Sequence, residues 1–199
     1  MLPITLAVII AYLIGSISSA IIVCKIMGLP DPRTQGSRNP GATNVLRIGG
    51  KKAAAITLLG DMLKGVIPVL LAKWYGLDDL GLALTAFAAF IGHLFPIFFG
   101  FEGGKGVATF IGCLLALCLP AGLTWVGTWL VIAVVFRYSS LAALIASLLA
   151  PVDIWCFTHA STYTVAVALM SVILIYRHRR NIYNLFTGTE SKIGKKSSL

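Results

Sequence analysis

Residues 3–27 read PITLAVIIAYLIGSISSAIIVCKIM, an apolar run whose only charged residue is Lys25. About 20 consecutive apolar residues suffice for a helix to cross the hydrocarbon core of a bilayer. A signal peptide would begin with a charged segment and end at a small-residue cleavage site before a soluble domain. This run has neither feature. We therefore expect a retained first membrane helix.

The composition of the whole chain agrees with a membrane location. Of the 199 residues, 58% are hydrophobic and only 12% are charged, whereas a soluble domain has about 45–50% apolar and roughly 25% charged residues. The net charge of +9 comes from basic residues that lie between apolar runs, so nucleic-acid binding is not expected. The four cysteines lack metal-ligand spacing and predict no disulfide framework.

The apolar runs predict one all-α, polytopic integral membrane domain over residues 1–199, with seven transmembrane helices and a tail at 178–199. The fourth run is short and is separated from the fifth by Pro120, so the count could also be six. The predicted spans are 3–27, 53–73, 80–99, 107–119, 121–137, 139–157 and 161–177.

The positive charges predict the orientation. With seven spans and the N-terminus outside, almost every basic residue lies in the cytoplasm, as the positive-inside rule requires. We therefore expect the N-terminus outside and the C-terminus in the cytoplasm. The residues placed in the cytoplasm are Arg33, Arg38, Arg47, Lys51, Lys52, Lys105, Arg137, Arg177, Arg179, Arg180, Lys192, Lys195 and Lys196.

This topology places four unusual polar segments on the same side of the membrane. They read GSRNPGATNVLR (36–47), FEGGKGVAT (101–109), RYSSL (137–141) and RHRRNIYNL (177–185). Segments that are far apart in sequence can then converge at one membrane surface. This convergence favours a functional site over ordinary connecting loops.

Two of these segments resemble phosphate-binding loops. In EGGKG, glycines allow backbone amides to point into one concavity, and Lys105 supplies a positive charge. The sequence is not a Walker A loop, because Phe99 and Gly106 stand where that motif needs Gly and Ser or Thr. A tight membrane turn explains EGGKG equally well. The stretch 36–47 offers donors at Ser37, Asn39, Thr43 and Asn44 and a two-pronged phosphate ligand at Arg47.

Other polar residues have simpler interpretations. Arg177, Arg179 and Arg180 are explained as membrane anchors that reach lipid headgroups. Asp61 and Lys64, three residues apart in the second span, are interpreted as a structural ion pair. The chain has neither a His-x4-Asp pattern nor a G-x-S-x-G nucleophile elbow. Its few acids form no metal-binding cluster, so neither a metal nor a cofactor is expected.

Three ordered motifs closely resemble the bacterial acyl-phosphate:glycerol-3-phosphate acyltransferases, which are integral membrane enzymes of phospholipid synthesis. The resemblance runs from Gly15 to about Lys192. It rests on GSRNPGATNVLRIGGK (36–51), on GHLFPIFFGFEGGKGVAT (92–109), and on RHRRNI (177–182) with the following G-T-E (188–190).

The resemblance implies roles for individual residues. Ser37, Asn39, Thr43, Asn44 and Arg47 match the first motif, and Gly103, Gly104 and Lys105 match the family's phosphate loop. Ser140, His178 and Asn181 are similar to the residues that hold glycerol 3-phosphate together with Arg47 and Lys105. Arg38, Glu102 and Ser18 depart from the family's usual glycine, lysine and proline. The expected catalytic residues are Ser37, Asn39, Arg47, Lys105 and His178.

The implied reaction transfers an acyl group from acyl phosphate to the sn-1 hydroxyl of glycerol 3-phosphate, without a covalent intermediate. It gives lysophosphatidic acid and inorganic phosphate. The base stays open between a substrate phosphate oxygen and His178. We expect a monomer in contact with membrane lipid, and whether a soluble acyl-phosphate-producing enzyme docks on its basic face is left open. The alternative from a different class is a carrier of phosphorylated anions.

Overall fold

The computed structural model describes residues 2–194, and within this range the chain forms α-helices, one short 3-10 helix and no strand. The all-α prediction is confirmed for these residues. Lys195 and Lys196 of the predicted tail lie outside them. The helices are α1 (Leu2–Gly15), α2 (Ser19–Ile26), α3 (Ala42–Trp74), α4 (Asp79–Leu94), the 3-10 helix (Ile97–Phe99), α5 (Val107–Leu117), α6 (Leu119–Phe136), α7 (Ser139–Thr158), α8 (Ser161–Arg177) and α9 (Arg179–Phe186).

Five helical stretches within the described residues are long and apolar enough to cross a membrane, namely Pro3–Ile26, Ala42–Trp74, Asp79–Phe99, Leu119–Phe136 and Ser139–Thr158. The shorter apolar helices α5 and α8 occupy the fourth and seventh predicted spans. The separation at Pro120 is reproduced, because Cys118 has extended dihedral angles and α6 begins at Leu119. The chain is therefore a multi-pass, all-helical membrane protein.

Three predicted spans differ from the observed helices. The run 80–99 contains α4, which ends at Leu94, and the separate 3-10 helix Ile97–Phe99. The run 3–27 is broken between α1 and α2, at residues 16–18. The span predicted at 53–73 begins at Ala42, although the chain bends at Gly50, whose φ of 77° is left-handed. Hydrophobicity alone detects neither the break nor the early start, because Ala42–Gly49 is a short amphipathic helix outside the apolar run.

The predicted ion pair between Asp61 and Lys64 is present, with 3.0 Å between Lys64 Nζ and Asp61 Oδ1. Lys64 Nζ also donates a hydrogen bond of 2.8 Å to the Ile17 carbonyl oxygen, at the break between α1 and α2. His93 Nδ1 lies 3.8 Å from the same Asp61 oxygen. All three ionisable side chains are buried. Through Lys64, the pair connects α3 to the Ile17 carbonyl group, which accepts no backbone hydrogen bond from residues 2–194 at the helix break.

Small residues allow the helices to pack closely, as is common in membrane proteins. A side chain at Gly15 or Gly92 would overlap the backbone between α1 and α4, and one at Gly65 or Gly112 would overlap the backbone between α3 and α5. Fully buried aromatic rings fill the wider space beyond these contacts. This tight packing fixes the helix ends that carry the polar segments.

Candidate active site

The polar segments predicted to converge do meet at one end of the bundle. The loop at residues 36–41 lies against the glycine-rich loop at residues 103–106. A Cβ atom added at Gly104 would lie 3.1 Å from the Pro40 carbonyl oxygen. The glycine-rich loop in turn contacts α9 through Lys105 and Asn181. We call this region, formed by residues 36–47, 103–106, 140, 177, 178, 180, 181, 184 and 190, the polar site.

Asn44 holds the first of these loops in shape. Its Oδ1 accepts a hydrogen bond of 2.9 Å from the Ser37 amide, and its Nδ2 donates to the carbonyl oxygens of Pro32 and Gln35 at 2.8 and 3.0 Å. The residue is 1% exposed. Gly36 has a φ of +59°, and a Cβ there would overlap the Asn44 amide. These contacts show that Asn44 positions the loop, and its expected role in substrate binding stays a prediction.

The other polar residues of the first motif remain accessible. Ser37, Thr43 and Arg47 are exposed, and Asn39 is half-buried. The polar segment 36–47 is a loop only as far as residue 41, because α3 begins at Ala42 after an N-cap at Gly41. Thr43 therefore lies in the first helical turn, whereas Ser37 and Asn39 remain in the loop.

Arg38 occupies a left-handed backbone conformation with a φ of 56°. A residue with a Cβ atom pays roughly 1–2 kcal/mol for this conformation, which glycine adopts freely. The position therefore explains why the resembling family has glycine there. The arginine side chain at this position is exposed.

We expect Arg38→Gly to stabilise the protein by about 0.5–1 kcal/mol, since relief of strain exceeds the entropy cost of an added glycine. Thermal unfolding in detergent would measure the gain as a higher Tm. Arg38→Ala is the matched control, because it removes the charge and keeps the strain. If Arg38→Gly lowered the Tm, the arginine side chain would make stabilising contacts that outweigh the strain.

Glu102, the second departure, makes a contact between loops. Its carboxylate lies 3.7 Å from Arg33 Nη1, and the same Arg33 nitrogen donates to the Phe99 carbonyl oxygen at 3.4 Å. Arg33 also forms an ion pair of 2.7 Å with Asp31, and this hydrogen-bonded contact lowers the pKa of the Asp31 carboxyl group. The Glu102 side chain is 74% exposed, so its ion pair contributes little stability.

The glycine-rich loop requires glycine for lack of space. A Cβ at Gly103 would overlap the carbonyl oxygens of His93 and Leu94, and one at Gly104 would overlap the His93 ring. The Gly104 amide also donates a hydrogen bond of 3.2 Å to the His93 carbonyl oxygen. The loop is therefore pressed against the end of α4, which holds Lys105 at the centre of the polar site.

Lys105 is surrounded by other charged residues. Its Nζ donates a hydrogen bond to Asn181 Oδ1. The pKa of Lys105 is lowered to about 8, chiefly by burial. The negative charge of Glu190 raises the pKa, and the positive charges of Arg47, Arg177 and Arg180 lower it further. Several cations thus share this small region, which suits it to bind an anion of high charge.

Glu190 accepts hydrogen bonds from three residues, and two of them, Ser140 and Asn181, are predicted substrate-binding residues. Its Oε1 accepts from Ser140 Oγ at 2.5 Å and from Asn181 Nδ2 at 2.8 Å, and its Oε2 accepts from Asn184 Nδ2 at 3.3 Å. The tail that carries Glu190 is held by two hydrogen bonds between Ile193 and Arg137. Sequence reasoning assigned no role to Glu190, although the G-T-E motif could have indicated one.

His178 lies at the break between α8 and α9 and is 3% exposed. Its Nδ1 is 2.8 Å from the Leu174 carbonyl oxygen. A carbonyl can only accept, so Nδ1 carries the hydrogen and Nε2 has the free lone pair. Burial lowers the pKa of His178, and the positive charge of Lys105 adds to this effect, so that the pKa is about 4. The ring is therefore neutral at pH 7.

The fold is that of an integral membrane protein, and the polar site gathers cations that suit it to bind anions. The model of the family described as glycerol-3-phosphate acyltransferase matches residues 5–188. The chain belongs to this family and is an acyltransferase.

Curated relatives and solved structures agree with this assignment. The chain is 54% identical to a glycerol-3-phosphate acyltransferase of Methylococcus capsulatus, over 94% of each chain. It is 57% identical to one of Burkholderia multivorans, over 98% of this chain and 93% of the relative. A crystal structure of an integral membrane glycerol 3-phosphate acyltransferase, in its glycerol 3-phosphate form, matches with a TM-score of 0.92 at 40% identity over 96% of both chains. The lysophosphatidic acid form of that enzyme matches with a TM-score of 0.89 at 39% identity, over 96% of this chain and 95% of that one.

Proposed function

We propose that this acyltransferase takes its acyl group from an acyl phosphate and transfers it to the sn-1 hydroxyl of glycerol 3-phosphate. The observation that carries the proposal is the clustering of Lys105, Arg47, Arg177 and Arg180 where two polar loops meet. Both substrates carry a phosphate group, and such a cluster offsets two anions at once. The glycerol 3-phosphate and lysophosphatidic acid forms of the solved relative support the same acceptor and product.

Glycerol 3-phosphate is proposed to bind between the glycine-rich loop and α9. Its phosphate faces Lys105, Arg47 and the amides of Lys105 and Gly106, and its hydroxyls face Ser140, Asn181 and His178. The hydrogen bonds that join Lys105 to Asn181 and Ser140 to Glu190 support this placement, because they bring these side chains within reach of one small ligand. The phosphate of the donor lies against Ser37, Asn39 and Thr43.

The proposed reaction is a direct acyl transfer. The sn-1 oxygen attacks the acyl carbonyl carbon, and the bond from this carbon to the phosphate oxygen breaks, so that inorganic phosphate leaves. The hydroxyl proton passes to a phosphate oxygen of a substrate. The loop amides and cations stabilise the negative charge that develops, and the site supplies orientation. An acyl phosphate has a good leaving group, so no covalent intermediate is needed.

We further propose seven spans, with the N-terminus outside and the polar site facing the cytoplasm of a bacterial inner membrane. The two short helices α5 and α8 complete the count. The basic residues of the polar site support the orientation through the positive-inside rule. A cytoplasmic site gives access to the soluble acceptor, while the acyl tail of the donor stays among the lipid-facing helices.

The decisive experiment supplies purified protein in detergent with glycerol 3-phosphate and one of two donors, acyl phosphate or an acyl thioester. We expect lysophosphatidic acid from acyl phosphate alone, with one phosphate released per product. Initial rates should give intersecting patterns when both substrates are varied. Product from the thioester alone would overturn the proposed donor, parallel patterns would indicate a covalent intermediate, and absence of any product would favour a carrier.

A further inference from the structure

Arg177 makes contacts that a lipid anchor does not need. Its Nη2 donates hydrogen bonds to two consecutive carbonyl oxygens of the glycine-rich loop, at 2.9 Å to Gly103 and 2.8 Å to Gly104. Its guanidinium group also lies over the Phe95 ring, 5.6 Å from the centroid. The side chain is half-buried and turned towards the protein. The sequence-based interpretation of Arg177 as a headgroup anchor is therefore wrong.

These contacts determine which way the loop presents its amides. In a trans peptide the C=O and N–H groups point in opposite directions. Because Arg177 holds the Gly104 carbonyl, the Lys105 N–H points away from the guanidinium. The amides of Lys105 and Gly106 have no hydrogen-bond partner among residues 2–194, and they precede the N-terminus of α5, where an anion is favoured.

The loop is held from a second side by the end of α4. The Gly104 amide donates a hydrogen bond to the His93 carbonyl oxygen. Arg177 donates hydrogen bonds to the carbonyl oxygens of Gly103 and Gly104. The Gly104 amide already fixes the Gly103–Gly104 peptide, so without Arg177 the Gly104 carbonyl oxygen would be free to turn towards a bound anion and repel it. Since Arg177 directly precedes His178, one helix end positions both the loop and the imidazole.

We propose that Arg177 is a positioning residue that holds the Gly103–Lys105 loop in the orientation that binds the phosphate of glycerol 3-phosphate. The inference rests on the proposed function, in which this loop binds that phosphate. Arg177 acts through the loop and needs no contact with the substrate. Its loss is therefore expected to affect binding more than turnover.

Arg179 provides the matched control. It lies two residues away as the first residue of α9 and carries the same charge, yet its guanidinium is exposed and lies 4.7 Å from the centroid of the Tyr176 ring. A general loss of cytoplasmic positive charge would affect both variants equally. Arg177→Lys keeps the charge but has no planar fork, so it separates charge from hydrogen-bond geometry.

The test measures KM for glycerol 3-phosphate, kcat, and inhibition by inorganic phosphate. Two charge-assisted hydrogen bonds are lost in Arg177→Ala, and we expect KM and the phosphate inhibition constant to rise together by about 10-fold or more. The kcat should change far less, Arg177→Lys should be intermediate, and Arg179→Ala should stay within about 2-fold of wild type. A loss of folded protein would lower the apparent kcat without raising KM, so the two effects are separable.

Two results would overturn the proposal. The first is a wild-type KM for Arg177→Ala together with an impaired Lys105→Ala. The loop would then still bind phosphate, but Arg177 would not position it. The second is an equal effect of Arg177→Ala and Arg179→Ala, with Arg177→Lys at the wild-type level, which would indicate a role of charge alone. If Lys105→Ala were also near wild type, the loop itself would not be the phosphate site.

Discussion

Lys105→Ala is expected to reduce kcat/KM by about 10²–10³, the usual cost of removing one donor that stabilises the transition state. The Lys105 side chain lies among cations, and within residues 2–194 its hydrogen bond goes to Asn181. Such a position contributes little to packing, so we expect the Tm to remain almost unchanged. Steady-state rates and thermal unfolding of the purified variant would measure both effects.

The pH dependence gives a second measurement of the same residue. Burial lowers the pKa of Lys105 to about 8, so the ammonium group of the free enzyme loses its proton as the pH rises through this value. We expect kcat/KM to fall above about pH 8, because this parameter reports the ionisation of the free enzyme. Lys105→Arg should lose this decline, since arginine stays charged. It should still be impaired, because a planar fork does not fit between Gly104 and Gly106.

An alanine variant within a few-fold of wild type would contradict this role. The phosphates would then be held elsewhere, and Arg47 would become the main candidate. Arg47 is exposed at the same site, close enough to Lys105 for its charge to lower the lysine pKa. Arg47→Ala measured in parallel would decide between the two residues.

Much of the fold could be predicted because a membrane restricts the choices. An apolar run of sufficient length must form a helix, since backbone groups in lipid have no water to bind. The apolar runs therefore predicted an all-helical chain and the boundary at Pro120. The break between α1 and α2 could not be predicted, because it depends on Lys64, which reaches the Ile17 carbonyl from another helix.

The site was predicted in its parts and not in its connections. Glycines, a lysine and amide side chains in polar loops indicated phosphate binding, and the structure places Lys105, Ser140, His178 and Asn181 near one another. The positioning contacts could not be predicted from spacing. Arg177 reaches Gly103 across 74 residues, and Ser140 reaches Glu190 across 50. These pairs exist only after the helices have packed.

The environment of His178 bears on the question of the base. Its Nε2 has the lone pair that a base requires, yet a pKa of about 4 makes the ring a weak proton acceptor. A substrate phosphate has a second pKa of roughly 6 and is the stronger base. The acid limb of the pH–rate profile should therefore lie near 6 if the substrate takes the proton, and near 4 if His178 does.

His178→Ala is expected to raise KM for glycerol 3-phosphate by about 3- to 10-fold, the cost of one lost hydrogen bond to a neutral hydroxyl group. Because the substrate phosphate takes the proton in the proposed reaction, saturating glycerol 3-phosphate should restore kcat to within a few-fold. His178→Gln is the matched control, since its amide keeps a polar group at the same depth and should recover part of the affinity. Full kinetics with each substrate varied would separate the two parameters. A collapse of kcat at saturation by about 10²–10⁴, with KM unchanged, would make His178 the general base instead.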